Sequence, residues 1–329
     1  MKLLIVAMLH DYGEPDRGYS FEYYNFYQAL KPHYDVSFFD FMGSLRKNGK
    51  QRMNEELLAE IKSAKPDAAI FFPYTDQFIP ETIDAAGAHT ATVCYFYDTI
   101  WRVAYSQFWA RHFKWVTTPD IWGTRRFAEA GIKNVIYSPF GCSPAIYKNE
   151  ALAKIHDASF VGLYHPRRAW LIKKLRKAGF NVYVRGAGWP EGQVAQEDLV
   201  RLFNQSRINL NLSNSSSWDL RYLLSSPRAF LNTLRSPKDR EQLKGRHFEI
   251  NSCGAFQLSY YVEGLESCYD IGKEIAVFDS PEDLIEKAGY YLAHEGEREA
   301  VARAGQERTL RDHALESRVA DILRHISKR

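Results

Sequence analysis

Residues 158–188 read ASFVGLYHPRRAWLIKKLRKAGFNVYVRGAG. Two short apolar runs, ASFVGLY and NVYVRGAG, flank RAWLIKKLRKAG, whose apolar residues recur at helical spacing. Strand, helix, strand in that order is the signature of a βα unit on a parallel sheet, because a helical crossover brings the second strand back alongside the first. Further on, the rhythm continues with INLNLS, GAFQLSYY and EIAVFD as strands and EDLVRLFNQS and PEDLIEKAGYYLAHEG as helices. The polar stretch Lys148 to Asp157 separates this series from an earlier one.

That earlier series has LLIVAM, DVSFFDF, AAIFFPY, ATVCYFYD, WVTTP and VIYSPFG as strands. Between them lie the helical stretches SFEYYNFYQALK with Ser20 as its N-cap, NEELLAEIKSA ending before Pro66, and IWGTRRFAEAG closed by Gly131. The tail, EREAVARAGQERTLRDHALESRVADILRHISKR, carries amphipathic helical periodicity and is long enough to reach back across the first domain. The expected fold class is therefore α/β, with two doubly wound Rossmann-like domains facing a cleft, where open sheets bind ligands at the carboxyl ends of their strands. The expected boundaries are 1–150, 151–310 and a C-terminal helix over 311–329.

Composition agrees with two domains, since 329 residues with 45% hydrophobic content exceed the size at which a single core stops growing. Net charge is only +3 and the basic residues are interleaved with acidic ones, so no stripe marks a nucleic-acid footprint. Cys94, Cys142, Cys253 and Cys268 stand far apart without CxxC spacing, as expected of reduced thiols in a cytoplasmic chain. MKLLIVAM stops at His10 before the charged turn HDYGEPDRG and reads as a buried strand rather than a signal peptide. No stretch approaches the roughly 18 apolar residues of a membrane span, which leaves at most peripheral membrane contact.

Several segments carry a family resemblance: VAQEDLVRLFNQSRINLNLSNSS, KGRHFEINSCGAFQLS, EIAVFDSPEDLIEKAGYYL and AGQERTLRDHALESR, with YGEPDRGYSFEYYNFYQAL and YFYDTIWR in the first half. Together they resemble the CgeB-like, spore-maturation type glycosyltransferases, relatives of glycosyltransferase family 4. The resemblance implies the GT-B architecture, with the nucleotide-sugar donor on the C-terminal domain and the acceptor, a glycan, lipid-linked sugar or protein, on the N-terminal one. It implies a retaining enzyme without cofactor, in which the leaving phosphate takes the acceptor's proton. No DxD stands in the position metal-dependent transferases use, and no His or Cys set has ligand spacing, so metal is not implied. A non-catalytic nucleotide- or sugar-binding protein of envelope or spore-coat assembly is the alternative, and an epimerase of the same fold a third outcome.

The same resemblance distributes roles. Glu249, ahead of Asn251, Ser252, Cys253 and Gly254, matches the glutamate that binds the donor's ribose hydroxyls, a task that suits an acceptor-only carboxylate. The family uses a second glutamate eight positions upstream, where Glu241 falls, but its setting SPKDREQLKGR lacks the glycine-rich surroundings of that residue and reads as a solvated loop charge. Arg167 and Arg168 in YHPRR and Lys244 and Arg246 around Gly245 are candidates for the diphosphate, at least one of each pair, because the leaving group needs cations. Arg168 and Arg246 are the expected catalytic cations.

Ser213 and Asn214 offer short polar groups at a strand's carboxyl edge, with Ser215 equally readable as part of a turn. Gly186 and Gly188 suggest a weak dinucleotide fingerprint, a turn beneath the base in the resemblance. In the first domain, Arg17 and Gly18 would close on phosphate. Asp98 is placed either to bind the acceptor and remove its proton or to cap the next helix. Tyr95, Tyr97, Trp101, Tyr105 and Trp109 read as packing, with sugar stacking as the other use.

Overall fold

The computed structural model describes residues 1–327. It resolves into two compact units, Met1–Ile146 together with the C-terminal helix Leu315–Ser327, and Tyr147–Ala314. Each is built around one parallel sheet.

The first unit runs β1 (Lys2–Ala7), β2 (Asp35–Asp40), α1 (Phe41–Ala64), β3 (Ala68–Phe71), α2 (Pro80–Gly87), β4 (Ala91–Tyr95), α3 (Val103–Ala110), β5 (Trp115–Thr118), α4 (Gly123–Glu129) and β6 (Val135–Tyr137). The strand order is β2-β1-β3-β4-β5-β6. β1 is buried on both faces, so its sequence is a continuous apolar run and period two sorts its side chains. Leu4 and Val6 join a core with Met53, Leu57 and Ile61 of α1. Leu3, Ile5 and Ala7 join the opposite core with Phe26, Leu30 and the stripe Leu315, Val319, Ile322 and Leu323 of the C-terminal helix. Spacing of 4, 3 and 1 along that stripe gives the helix one apolar face, which covers this sheet.

Two helices differ from their sequence reading. The stretch after Ser20, whose hydroxyl accepts from Tyr23 N at 3.1 Å, contains a π-helical turn over Tyr23–Gln28. There Asn25 Nδ2 donates to Phe21 O at 3.3 Å and its Oδ1 accepts from Ser143 N, so a side chain competes within the helical ladder. α1 begins well ahead of NEELLAEIKSA, and Gly49 at φ 80° kinks it. α2 and α3 are short and were not among the expected helices.

The second unit comprises β7 (His156–Val161), α5 (Pro166–Lys177), β8 (Val182–Arg185), α6 (Gln196–Gln205), β9 (Ser206–Asn211), α7 (Leu220–Leu223), α8 (Pro227–Arg235), α9 (Arg246–Ser252), β10 (Gln257–Tyr260), β11 (Ala276–Phe278), α10 (Pro281–Ala293) and α11 (Glu295–Asp312). The tail expected as one amphipathic run breaks at His313, whose Nε2 lies 2.8 Å from Cys268 O, so that α11 stays with this unit and α12 (Leu315–Ser327) with the first. Gly305 lets α11 press on α9, since a Cβ there would lie 2.3 Å from Glu274 O and 3.0 Å from Asn251 Nδ2.

All strands of this sheet are parallel, in the order β11-β10-β9-β7-β8. From β7 the chain first moves to β8 on one side and then to β9 on the other. The topological switch point thus lies between β7 and β9, and the loops leaving their carboxyl ends diverge there to leave a crevice.

Candidate functional site

The loop leaving β7, Gly162 to His165, is held flat against the loop leaving β8. Gly162 N donates to Arg185 O at 3.0 Å, Tyr164 N to Ala187 O at 2.8 Å, and Trp189 Nε1 to Gly162 O at 2.9 Å. Gly186 makes this approach possible: it sits at φ 139°, and a Cβ there would lie 2.1 Å from Gly162 O. Here Gly186 lets two backbones meet, and Gly188, whose Cβ would come within 2.8 Å of Tyr164 Cβ, does the same. His165 then caps α5, its Nδ1 accepting from Arg167 N at 3.3 Å. Burial, Arg168 and Arg167 push the His165 imidazole down to about 4 against the opposing pull of Glu241, so it is neutral at pH 7.

From the first turn of α5, Arg167 crosses the switch point. Its Nη1 donates to Ser213 Oγ at 2.8 Å and Ser215 Oγ at 2.9 Å, at the end of β9, and its Nη2 to Tyr260 OH at 3.2 Å, at the end of β10. The guanidinium also lies 4.8 Å from the centre of the Tyr260 ring. Arg168 points elsewhere, because neighbours on a helix diverge by about 100°. It is buried, with Nε donating to Leu212 O at 3.1 Å and Nη1 to Leu163 O at 2.9 Å, so it ties the two loops together.

Glu241 is the hub of this crevice. Its Oε1 accepts from the Ser213 hydroxyl, from Asn214 N at 2.8 Å and from Ser215 N at 2.5 Å; its Oε2 accepts from Lys244 Nζ at 2.8 Å. Lys238 and Lys244 also donate to Asn214 Oδ1, at 2.7 and 3.1 Å. With its side chain 5% exposed, Glu241 is no solvated loop charge, which corrects the sequence reading. The charged run around it misled because the groups that enclose the carboxylate come from a turn 26 to 28 residues away.

Burial pushes the Glu241 carboxyl up, but Lys244, Lys238 and the hydrogen bonds from Lys244 and Ser213 more than offset it and hold it well below the ordinary carboxylate range. Lys244 is moved the other way for its type: burial outweighs Glu241 and brings the ammonium down to about 8. Although 24% of the Lys244 side chain reaches solvent, its Nζ is enclosed by Glu241 and Asn214, which is why the ammonium behaves as a buried group. A cavity of about 380 Å³ opens on the network, with Arg167, Ser215, Trp218, Arg240, Glu241 and Tyr260 in its wall.

Of the residues expected at the donor, Arg167, Arg168, Ser213, Asn214 and Lys244 thus come together. Ser215, Lys238, Glu241 and Tyr260 complete the cluster; of these, Ser215 and Tyr260 stand at the ends of expected strands, Glu241 falls at the second glutamate position of the resemblance, and Lys238 carried no placement signal.

Arg246, Glu249, Cys253 and Gly254 form a second group, along α9. Arg246 Nη1 lies 2.7 Å from Glu249 Oε2 in a charge contact that falls outside directed hydrogen-bond geometry, and its guanidinium sits 5.0 Å from the centre of the Phe203 ring. Cys253 is buried, its thiol pushed up by burial and then by Glu249. Gly254 follows the helix at φ 63°, where a Cβ would meet Asn149 Nδ2 at 2.7 Å and Gln306 Oε1 at 2.9 Å. Gly254 is therefore required by packing at the end of α9 away from Lys244.

In the first unit, Arg17 lies 3.7 Å from Asp11 and its guanidinium 5.1 Å from the Tyr12 ring centre, while Gly18 at φ 77° ends a short 3₁₀ turn. Asp98 Oδ1 accepts from Trp101 Nε1 at 3.1 Å; α3 starts later, behind Arg102, so Asp98 is not its cap. Tyr95 and Trp109 are packing residues, 2% and 3% exposed. Trp101 and Tyr105 reach the surface more, with Arg102 lying over both rings. All four cysteines are buried free thiols. Among the described residues, no group of three or more His, Cys, Asp or Glu could hold a metal ion, and no helix is long and apolar enough to cross a membrane.

Residues 167–324 match the glycosyl transferase-like family. That match covers the second half of the chain, which is similar to CgeB-like glycosyltransferases, and the fold is GT-B. Over 202 residues it is 24% identical to the spore protein CgeB of Bacillus subtilis, which covers 56% of this chain and 59% of that protein. The chain thus spans well under two thirds of that relative's length. Among solved structures it superposes on Anabaena HepE in complex with UDP and glucose with a TM-score of 0.62 at 13% identity, covering 100% of both chains. The sucrose-phosphate synthase of Thermosynechococcus elongatus gives a TM-score of 0.66 at 9% identity, over 100% of this chain and 99% of that one. The glycosyl transferase-like match begins at Arg167 and contains the whole cluster around Glu241.

Proposed function

We propose that this GT-B protein transfers a sugar from a nucleotide-diphosphate donor to a glycan, lipid-linked or protein acceptor, with UDP as the first nucleotide to try. The observation that carries the reading is the network joining Arg167, Ser213, Ser215, Glu241 and Lys244 at the carboxyl ends of β7 and β9. Breaking a sugar–phosphate bond leaves charge on the diphosphate, which fixed cations stabilise without reorganising during the reaction. In this reading Arg167, Lys238 and Lys244 face the diphosphate, and Glu241, its carboxyl held well below the ordinary range, fixes the lysines and the Ser213–Ser215 turn. Glu241 and Glu249 then stand at the two glutamate positions of the family, with Glu249 accepting from the ribose hydroxyls. Complexes of HepE with UDP and with UDP-glucose support the donor class.

Arg246 remains a candidate through its contact with Glu249, and Arg17, Gly18 and Asp98 remain candidates for the phosphate and acceptor side. Transfer is proposed to be retaining, with the leaving phosphate taking the acceptor's proton, and metal-independent because protein cations serve the diphosphate.

A panel of UDP-, GDP- and ADP-sugars, incubated with and without acceptor and with and without EDTA, tests this. Turnover that survives the chelator is expected. Nucleotide binding without turnover would favour the non-catalytic alternative, and loss of turnover in EDTA restored by Mn²⁺ would overturn metal independence.

A further inference from the structure

Two helices of the second unit turn apolar side chains outward. In α8, Ala229 and Thr233 are buried and Asn232 Nδ2 lies 3.2 Å from His165 Nε2, which fixes that face inward. Phe230, Leu231 and Leu234 occupy the other side and are 49%, 45% and 56% exposed. In the preceding α7, Tyr222 is buried while Leu220 and Leu224, one turn apart, stand 71% and 85% exposed around it. Exposed apolar side chains are unremarkable singly, but five on two consecutive short helices need a partner.

The border of this face is basic. Ser225, Ser226 and Arg228, in and after the turn between α7 and α8, share a cavity of about 520 Å³ with Lys173, Lys174 and Lys177 of α5. Its apolar wall includes Tyr164, Pro166, Ala169 and Trp170, and Lys174 lies 5.4 Å from the Trp170 ring centre. Among the described residues, these four cations make no ion pair. Arg221, by contrast, is saturated by Asp219 and Glu282 and adds nothing to the border's charge.

We propose that the α7–α8 face, with the lysine pocket of α5 beside it, docks on an anionic lipid bilayer. Leu and Phe side chains would enter the headgroup boundary while the pocket takes a lipid phosphate. Charge complementarity selects this occupant over a protein, because lysine is depleted in protein interfaces yet is well suited to an acidic lipid surface. The docking does not depend on the transfer reaction.

The test is co-sedimentation of the full chain with phosphatidylcholine vesicles and with vesicles containing phosphatidylglycerol at about one part in four. Binding to the acidic vesicles should exceed that to neutral ones by at least about tenfold and fall steeply at high salt. Leu224→Glu with Leu234→Glu, and separately Lys173→Glu with Lys177→Glu, should each reduce it at least about tenfold. All four positions are on the surface, and unchanged melting temperatures would show that both variants fold. Equal binding by wild type and both folded variants, or no binding to acidic vesicles, would overturn the proposal. So would self-association of the wild type, seen by analytical ultracentrifugation and abolished by the leucine substitutions, because the face would then join two copies of this chain.

Discussion

Glu241 and Glu249 stand eight residues apart, each with a cation three positions away and each almost buried, at 5% and 6% side-chain exposure. Their acceptor capacity differs. Both oxygens of Glu241 are taken by protein donors, including two main-chain N–H groups. Glu249 Oε2 faces Arg246 alone, in poor hydrogen-bond geometry. A carboxylate whose lone pairs are filled by its own fold holds that fold together, whereas one with capacity left can take hydroxyls from a ligand. The contrast makes Glu241 a residue that builds the crevice and leaves Glu249 with the acceptor capacity that the proposed ribose contact requires.

The largest effect expected from breaking this contrast is on stability. Glu241→Ala leaves Lys238 and Lys244 without their anion and the Asn214 and Ser215 amides without an acceptor, and should cost about 3–5 kcal/mol in denaturant unfolding. Glu249→Ala should cost less than half of that, because Arg246 keeps its contact with Phe203. Equal losses would erase the distinction.

A step smaller, Arg168→Ala should destabilise by about 1–3 kcal/mol through the unsatisfied carbonyls of Leu163 and Leu212. Its kcat should fall less than that of Arg167→Ala, for which a loss of about 10²-fold is expected. If Arg168→Ala folds normally and is the slower enzyme, then Arg168 meets the diphosphate after all.

Glu249→Ala should lower nucleotide affinity by about 1–3 kcal/mol. A 2′-deoxy nucleotide should bind the native protein more weakly by a similar step, and the two losses should not add. Calorimetry on the four combinations decides: a deoxy penalty unchanged by the mutation means that Glu249 does not read the ribose.

The smallest effect is in pH dependence. Because the Lys244 ammonium is brought down to about 8, the free protein loses that charge as pH rises past 8, well before an ordinary lysine would. Diphosphate affinity should therefore decline above pH 8, by at most about tenfold per unit, with a proton taken up on binding. Lys244→Arg should remove the uptake, since arginine stays charged. The same shift makes Lys244 contribute a stability that rises between about pH 8 and the unfolded value of 10.5, where the unfolded chain holds more protons than the native one.

The parallel sheets were legible because strands buried on both faces must be apolar throughout, as LLIVA and AVF are. The stripe from Leu315 to Leu323 showed as helical periodicity, but the break at His313 did not, since it depends on a carbonyl 45 residues away. α8 had a readable start in Ser226, whose hydroxyl accepts from Ala229 N, followed by Pro227, but its outward apolar face belongs to no core and gave no reason to expect a helix.

In the site, residue types were legible and directions were not. Adjacent arginines look alike in sequence, and only the start of α5 at Pro166 sends Arg167 across the crevice and Arg168 beneath it. Glu241, noticed at the second glutamate position, was read as a solvated charge for a related reason: its neighbours in sequence are charged and exposed, while its neighbours in space are the Ser213–Ser215 turn.

The central claim is that a nucleoside diphosphate occupies the crevice between β7 and β9. Isothermal titration of UDP into the wild type and into Arg167→Ala tests it most directly. The expected result is saturable binding by the wild type, weakened at least about tenfold in a variant whose melting temperature stays close to wild type. Wild-type affinity in a folded Arg167→Ala protein would contradict the account.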